Sequence, residues 1–242
     1  MDVKIAPKRS KSEKSQKDMK NNQFAYTEIY RQLRTNIEFS SFEKNIQVVN
    51  TVSTNPAEGK SSVASNLATV SAAKYNNVLL MDCDLRKPVQ HKIFQVSNKI
   101  GLSNLMRNFD SFDVNEDTYF QKFKDSNSDG RLFLLTSGVR VPNPGELLSS
   151  DKFKKLMEML RTRFDFIIID CPPVSAVADA IPVSNNCDGT IFVISAKDTD
   201  KNEAKAALTE LQRNGVNILG SVMTMTEATA KHYYNYYYSN EK

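Results

Sequence analysis

The chain of 242 residues has no apolar run of about 18 residues, so no transmembrane helix is expected. No positively charged stretch leads into an apolar one at the start, so no secretory leader is expected either. Cysteines number three (Cys83, Cys171, Cys187) and histidines two. The cysteines form no CxxC pair and no Cys/His ligand spacing, which argues against a disulfide scaffold or a structural zinc site. They read as reduced thiols in cytosol; Cys83 and Cys171 fit as small residues in a sheet core, with a redox switch as the alternative. His91 and His232 have no partner at recognisable spacing. No internal repeat is present.

The body of the chain also lacks a charge of one sign. The net charge is +4. Residues 1–20 carry seven cations against three carboxylates, an excess equal to the net charge of the whole protein. The remainder is balanced, so a nucleic-acid partner is not expected. The arm, residues 1–23, reads as a solvated polybasic segment, or as one attracted to an anionic membrane surface.

Ordered patterning begins near residue 24. Ile29, Leu33 and Ile37 recur at a helical period. IQVVNTVS (46–53), NVLLMD (77–82), RLFLLTSG (131–138), FDFIIID (164–170), GTIFVISA (189–196) and NILGSVMT (217–224) read as strands. The continuous apolar character of NVLLMD, RLFLLTSG and FDFIIID suits strands buried on both faces of a parallel sheet. Helical patterns separate them, and Gly215 stands where a helix C-cap belongs. Alternation of strand and helix predicts a single α/β domain, doubly wound, with a mainly parallel sheet flanked by helices, over residues 24–228. The polar segment 108–130 reads as a surface excursion with room for one short helix.

The stretch VVNTVSTNPAEGKSSVASNLA is strand, turn and helix, and the turn ends in Gly59-Lys60-Ser61. Backbone N–H groups of such a turn, with the positive start of the next helix, cradle phosphates. The lysine reaches the β/γ-phosphates and the serine hydroxyl ligates Mg²⁺. The strict phosphate-loop pattern fails at its first glycine, where Thr54 stands. Asp82 and Asp84 follow one buried strand and Asp170 ends another. Ligands in doubly wound sheets bind outside the carboxyl ends of strands. Any one of these carboxylates would pass for a solvated strand end; three beside a Gly-Lys-Ser predict Mg·ATP binding.

At these residues the sequence resembles the bacterial tyrosine kinases. TNPAEGKSS, LLMDCDLRKP and FIIIDCPP look like the family's Walker A, A′ and B motifs, within a group of deviant P-loop ATPases that also holds septum-positioning and plasmid-partition ATPases. GLSNLM (101–106), VPNPGELL (141–148), Glu28-x-x-Arg31-x-x-Arg34 and a tyrosine-rich tail extend the likeness from about Phe24 to the end. The nearest type is the stand-alone cytoplasmic kinase of Gram-positive capsule and exopolysaccharide operons. Asn55 stands where partition ATPases carry a signature lysine. Ala57 replaces a usual glycine, a harmless change only if its φ is negative.

The resemblance implies roles. Backbone groups of Ala57, Glu58, Gly59, Lys60, Ser61 and Ser62 cradle the phosphates. Lys60 neutralises charge, Ser61, Asp84 and Asp170 hold Mg²⁺, and Asp82 orients or deprotonates the attacking phenol. Arg86 and Lys87 read either as a solvated loop or as receivers of an anionic phosphate. Glu28, Arg31 and Arg34 lie on one helical face, as a solvent-facing ion-pair strip or as the contact that closes a ring, an octamer in the family. Tyr233, Tyr234, Tyr236, Tyr237 and Tyr238, five of the chain's nine tyrosines, are the expected phosphoacceptors in a flexible tail, 229–242, that enters a neighbour's site. A membrane-anchored activator that regulates polysaccharide chain length would recruit the cytoplasmic protein to the inner face of the plasma membrane, and a cognate tyrosine phosphatase would reverse the modification. The implied function is an ATP-dependent tyrosine autokinase acting in trans on capsular or exopolysaccharide synthesis and export. An ATP-dependent assembly switch and a partition-type ATPase without kinase activity remain the alternatives.

Overall fold

The computed structural model describes residues 26–40, 45–124, 131–175 and 179–226. The basic arm and the five tail tyrosines lie outside the described residues. A seven-stranded sheet has the order β3-β4-β2-β5-β1-β6-β7. In chain order the strands are β1 (Val48–Ser53), β2 (Asn77–Asp82), β3 (Gln121–Lys124), β4 (Arg131–Leu135), β5 (Phe166–Asp170), β6 (Gly189–Ser195) and β7 (Ile218–Thr224). All pairings are parallel except that of β3 with β4.

The apolar runs divide by alternation, as pleated strands must. Ile167 and Ile169 of β5 join Leu79, Met81 and Phe192 on one face. Helix α6 (Asp151–Arg163) covers that face with Phe153, Leu156 and Leu160, and α8 (Lys201–Arg213) with Ala207 and Leu211. Phe166 and Ile168 point the other way with Val49, Val78, Leu80 and Val193. There α2 (Lys60–Ala72) presents Val63, Ala64, Leu67 and Ala68. Small residues on α2 bring it close to the sheet.

Helix α1, residues 26–39, lies on this second face. Ile37 is buried, Leu33 and Tyr30 are half-buried against the core, and Ile29 turns to solvent. Helix α8 ends as expected at Gly215, whose φ is 76°. The Val216 N–H donates to the Leu211 carbonyl and the Gly215 N–H to that of Gln212, a paired closure with Leu211 and Val216 both buried.

Two expectations change. Segment 108–130 is more than an excursion, for it supplies edge strand β3, and Phe120 packs against Phe133 and Phe164. Its polar residues hide this because an edge strand turns one side to water. The fourth strand stops at Leu135: the Thr136 and Ser137 carbonyls turn aside to accept the N–H groups of Leu102 and Ser103. These residues open α4 (Leu102–Arg107), whose approach depends on Gly101, because a Cβ there would lie 2.2 Å from the Thr136 carbonyl oxygen. The last strand, β7, lies at the sheet edge with Met223 exposed.

Candidate active site

Strand order and register assemble the site. In the β2–β5 pairing Asp82 stands beside Asp170, and in the β5–β1 pairing Asp170 stands beside Thr51. The central strands thus end in carboxylates and in the loop that opens α2. That loop carries Ala57 at φ 66° and Gly59 at φ 92°. Among the described residues, none accepts a hydrogen bond from the backbone N–H groups of residues 58–62. These amides are the free donors of a helix start, where an anion is favoured.

The loop is tied down from outside. Thr199 Oγ1 donates to Glu58 Oε1 at 2.6 Å, and Thr224 Oγ1 to the Glu58 carbonyl at 2.6 Å. Asn55 Nδ2 donates to Glu203 Oε2 at 2.8 Å and its Oδ1 accepts from Ser175 Oγ at 2.7 Å. Glu58 is buried and its Oε2 has no partner among the described residues. The sequence reading credited Glu58 only with a backbone contact. Its side-chain ties to Thr199, just before α8, escaped notice because nothing in local spacing links the two.

Lys60 is the centre of the site. Its Nζ lies 3.1 Å from Ser61 Oγ, 3.1 Å from Asp170 Oδ1 and 3.3 Å from Asp84 Oδ2. Burial works against the ammonium, but the Asp170 and Asp84 carboxylates outweigh it and raise its pKa. The three oxygens read from the sequence as Mg²⁺ holders therefore converge on one cation already. That convergence is the test of fit, and the residues present pass it. Among the described residues no three His, Cys, Asp or Glu side chains form a closed metal cage. Mg²⁺ needs none, since it takes one or two carboxylates and completes its shell with phosphate and water.

The other predicted residues fall into place unevenly. Asp84 lines a cleft of about 640 Å³ with Lys60, Ser61, Lys87, Pro172 and Met225. Asp82 sits behind it, fully buried, with Oδ2 accepting from the N–H groups of Val89 and Gln90 and Oδ1 from that of Asp84. Burial first, then the Asp170 carboxylate, push Asp82 up to about 8. Arg86 turns to Asp179, its Nε 2.8 Å from Oδ2. Burial raises the Cys171 thiol to about 12 and that of Cys83 well above its usual value, so both remain protonated packing groups.

Gln90 is the residue sequence reasoning missed. It opens α3 (Gln90–Ile93) and is wholly buried. Its Nε2 donates to Asp170 Oδ2 at 2.8 Å and to the Ser61 carbonyl at 3.0 Å. No spacing rule marks it, because a turn and not a strand end delivers it.

The proposed oligomerisation residues lie apart from the cleft. Glu28 and Arg31 form an exposed ion pair at 3.2 Å. Arg34 points inward: its NH1 donates to the Val70 carbonyl at 2.6 Å, and Nε lies 3.5 Å from Glu38.

An AAA-domain family model matches residues 46–196. Tyrosine-protein kinase YwqD of Bacillus subtilis (strain 168) is 39% identical over 87% of this chain and 86% of its own length. The crystal structure of the chimerical protein CapA2B2 superposes with a TM-score of 0.72 at 34% identity, covering 80% of this chain and 82% of that one. The kinase domain of Escherichia coli tyrosine kinase ETK gives a TM-score of 0.72 at 30% identity, covering 84% and 78%.

Proposed function

The chain belongs to the bacterial tyrosine-protein kinase family, on the P-loop ATPase fold, and from that premise we propose that it transfers the γ-phosphoryl group of Mg·ATP to tyrosines of its own tail. The acceptors are Tyr233, Tyr234, Tyr236, Tyr237 and Tyr238 of a neighbouring subunit. The observation that carries this reading is the convergence of Ser61, Asp84 and Asp170 oxygens on the Lys60 ammonium, beside a loop with free N–H donors.

Phosphoryl transfer asks a protein for positioning and charge stabilisation more than covalent chemistry. The amides of residues 57–62 hold the phosphates. Lys60 exchanges its carboxylate partners for phosphate when nucleotide binds. Ser61, Asp84 and Asp170 would hold Mg²⁺, which would supply charge neutralisation at the phosphates. Asp82 is the proposed residue that orients or deprotonates the attacking phenol. Because Asp82 is buried behind Asp84, a phenol reaches it only if the segment between Leu85 and Gln90 shifts. Lys87, on the cleft wall, meets the developing anion; Arg86, paired with Asp179, orders the adjoining loop.

The wider proposal has three parts. The kinase works as a ring of its own copies, the octamer of the family, joined through Glu28, Arg31 and Arg34. A membrane-anchored activator recruits it to the inner face of the plasma membrane, helped by the basic arm, and a phosphatase resets the tail. The cycle regulates capsular or exopolysaccharide synthesis and export. Among the described residues no helix is long and apolar enough to cross a membrane, in keeping with an anchor supplied by a partner.

The test is mass spectrometry of the full chain incubated with Mg·ATP and an activator peptide. Several phosphates on 233–238 are expected in the wild type and none in Lys60→Met. A labelled tail in that variant would refute the assignment of Lys60. ADP release without any added phosphate would favour the plain-ATPase reading.

A further inference from the structure

Gln90 lies outside the three motifs, yet it touches all of them. Its Nε2 binds the Asp170 carboxylate and the Ser61 carbonyl, and its backbone N–H binds the Asp82 carboxylate. Both side-chain partners are acceptors, so the amide has only one workable orientation. The nitrogen is the atom that meets the Asp170 and Ser61 oxygens. The amide oxygen, Oε1, is buried and has no donor among the described residues. A buried acceptor without a donor is costly, and native structures rarely leave one so.

The division of Asp170 gives the arrangement its meaning. Oδ1 meets Lys60 at 3.1 Å while Oδ2 meets Gln90 at 2.8 Å. When Lys60 turns to phosphate, Oδ1 comes free and Oδ2 stays held. A carboxylate clamped by one oxygen offers the other in a single direction.

We propose that Gln90 is a positioning residue for Mg²⁺: its amide orients the Asp170 carboxylate, and its buried carbonyl accepts a hydrogen bond from water carried with the metal. This rests on the reading of Asp170 as a metal-holding group. Protein-bound Mg²⁺ usually retains several waters, which are the donors Oε1 lacks. Outer-shell partners of ligating groups typically change metal affinity by about 10–100-fold.

Gln90→Met and Gln90→Leu remove the amide donor and the carbonyl acceptor together and add no charge. Binding of ADP to the full chain is measured by calorimetry across a Mg²⁺ series and in EDTA, beside wild type and Asp170→Asn, with thermal unfolding of each. In both Gln90 variants the Mg²⁺ concentration giving half the metal-linked gain in affinity is expected to rise about tenfold. Affinity for ADP in EDTA is expected to stay within about twofold of wild type. An unchanged Mg²⁺ requirement overturns the proposal. An equal loss of affinity with and without metal also overturns it, because that is what a purely structural residue would show. Should Gln90→Met not fold, Gln90→Leu decides alone. If Asp170→Asn also leaves the Mg²⁺ requirement unchanged, the reading of Asp170 has failed. If Asp170→Asn alters it and the Gln90 variants do not, only this inference has failed.

Discussion

At the scale of single residues, Ala57 shows how a local departure acquires a physical meaning. A glycine would adopt φ 66° without strain, whereas alanine pays about 1–2 kcal/mol for the left-handed region. Glycine loses about 0.5–1 kcal/mol of that advantage through unfolded-state entropy. Ala57→Gly is therefore expected to raise stability by about 0.5–1 kcal/mol and to bind ATP at least as tightly. Thermal unfolding and nucleotide titration check this; a lowered midpoint would contradict it. Lys60, by contrast, needed no structure to be singled out, since Gly-Lys-Ser after a strand states its chemistry. What the sequence concealed was the company Lys60 keeps without nucleotide, and that Gln90 shares Asp170 with it. Side chains brought together from positions 60, 84, 90 and 170 leave no trace in local spacing.

At the scale of elements, α1 separates two arginines that sequence pattern grouped together. Arg31 is exposed beside Glu28, while Arg34 anchors the helix to the end of α2. Arg31→Ala is expected to change stability by less than about 0.5 kcal/mol, as exposed pairs usually do, and to lower the assembly's mass in light scattering. Arg34→Ala is expected to cost about 1.5–3 kcal/mol, because a charged donor to a half-buried carbonyl is lost. Equal stabilities for the two variants would contradict the division.

The far end of the sheet is tied in a similar way by Asp188. Its Oδ2 accepts from Gln47 and Val48 N–H groups, and Arg161 grips both oxygens at 2.8 and 2.9 Å. Burial would raise the Asp188 carboxyl, but the hydrogen bonds from Arg161 and from the two amides outweigh it and hold it low. The stability it adds is present above the unfolded value of about 3.9 and lost as pH falls through the lower folded value. Asp188→Asn should thus cost about 1–3 kcal/mol at pH 7. The gap from wild type should close as pH falls through the lowered folded value, which denaturant titrations at neutral and at acid pH would reveal.

At the scale of the whole molecule, charge links the tail to assembly. Each phosphate adds about −1.5 to −2, so five add roughly −8 to −10 against a chain of +4. On the proposed reading, a tail that enters a neighbour's cleft when neutral would be repelled from it when charged. Oligomer mass is expected to fall stepwise with phosphate number, as native mass spectrometry would resolve. A mass independent of phosphate count would leave the tail as substrate only.

Much of this molecule was written locally. Apolar runs ending in aspartate, separated by amphipathic helices, specified a parallel sheet with its ligands at one edge, because strand burial and strand polarity are properties of short segments. The motif residues of the site came from the same runs. Tertiary structure alone decided the rest. It made β3 a strand and put Met223 on an exposed edge, since edge position depends on which strands pair. It turned Arg34 inward and Arg31 outward, since helix rotation is set by what the helix packs on. It divided the two oxygens of Asp170 between Lys60 and Gln90, since contacts between distant residues form only when the sheet brings its strand ends together.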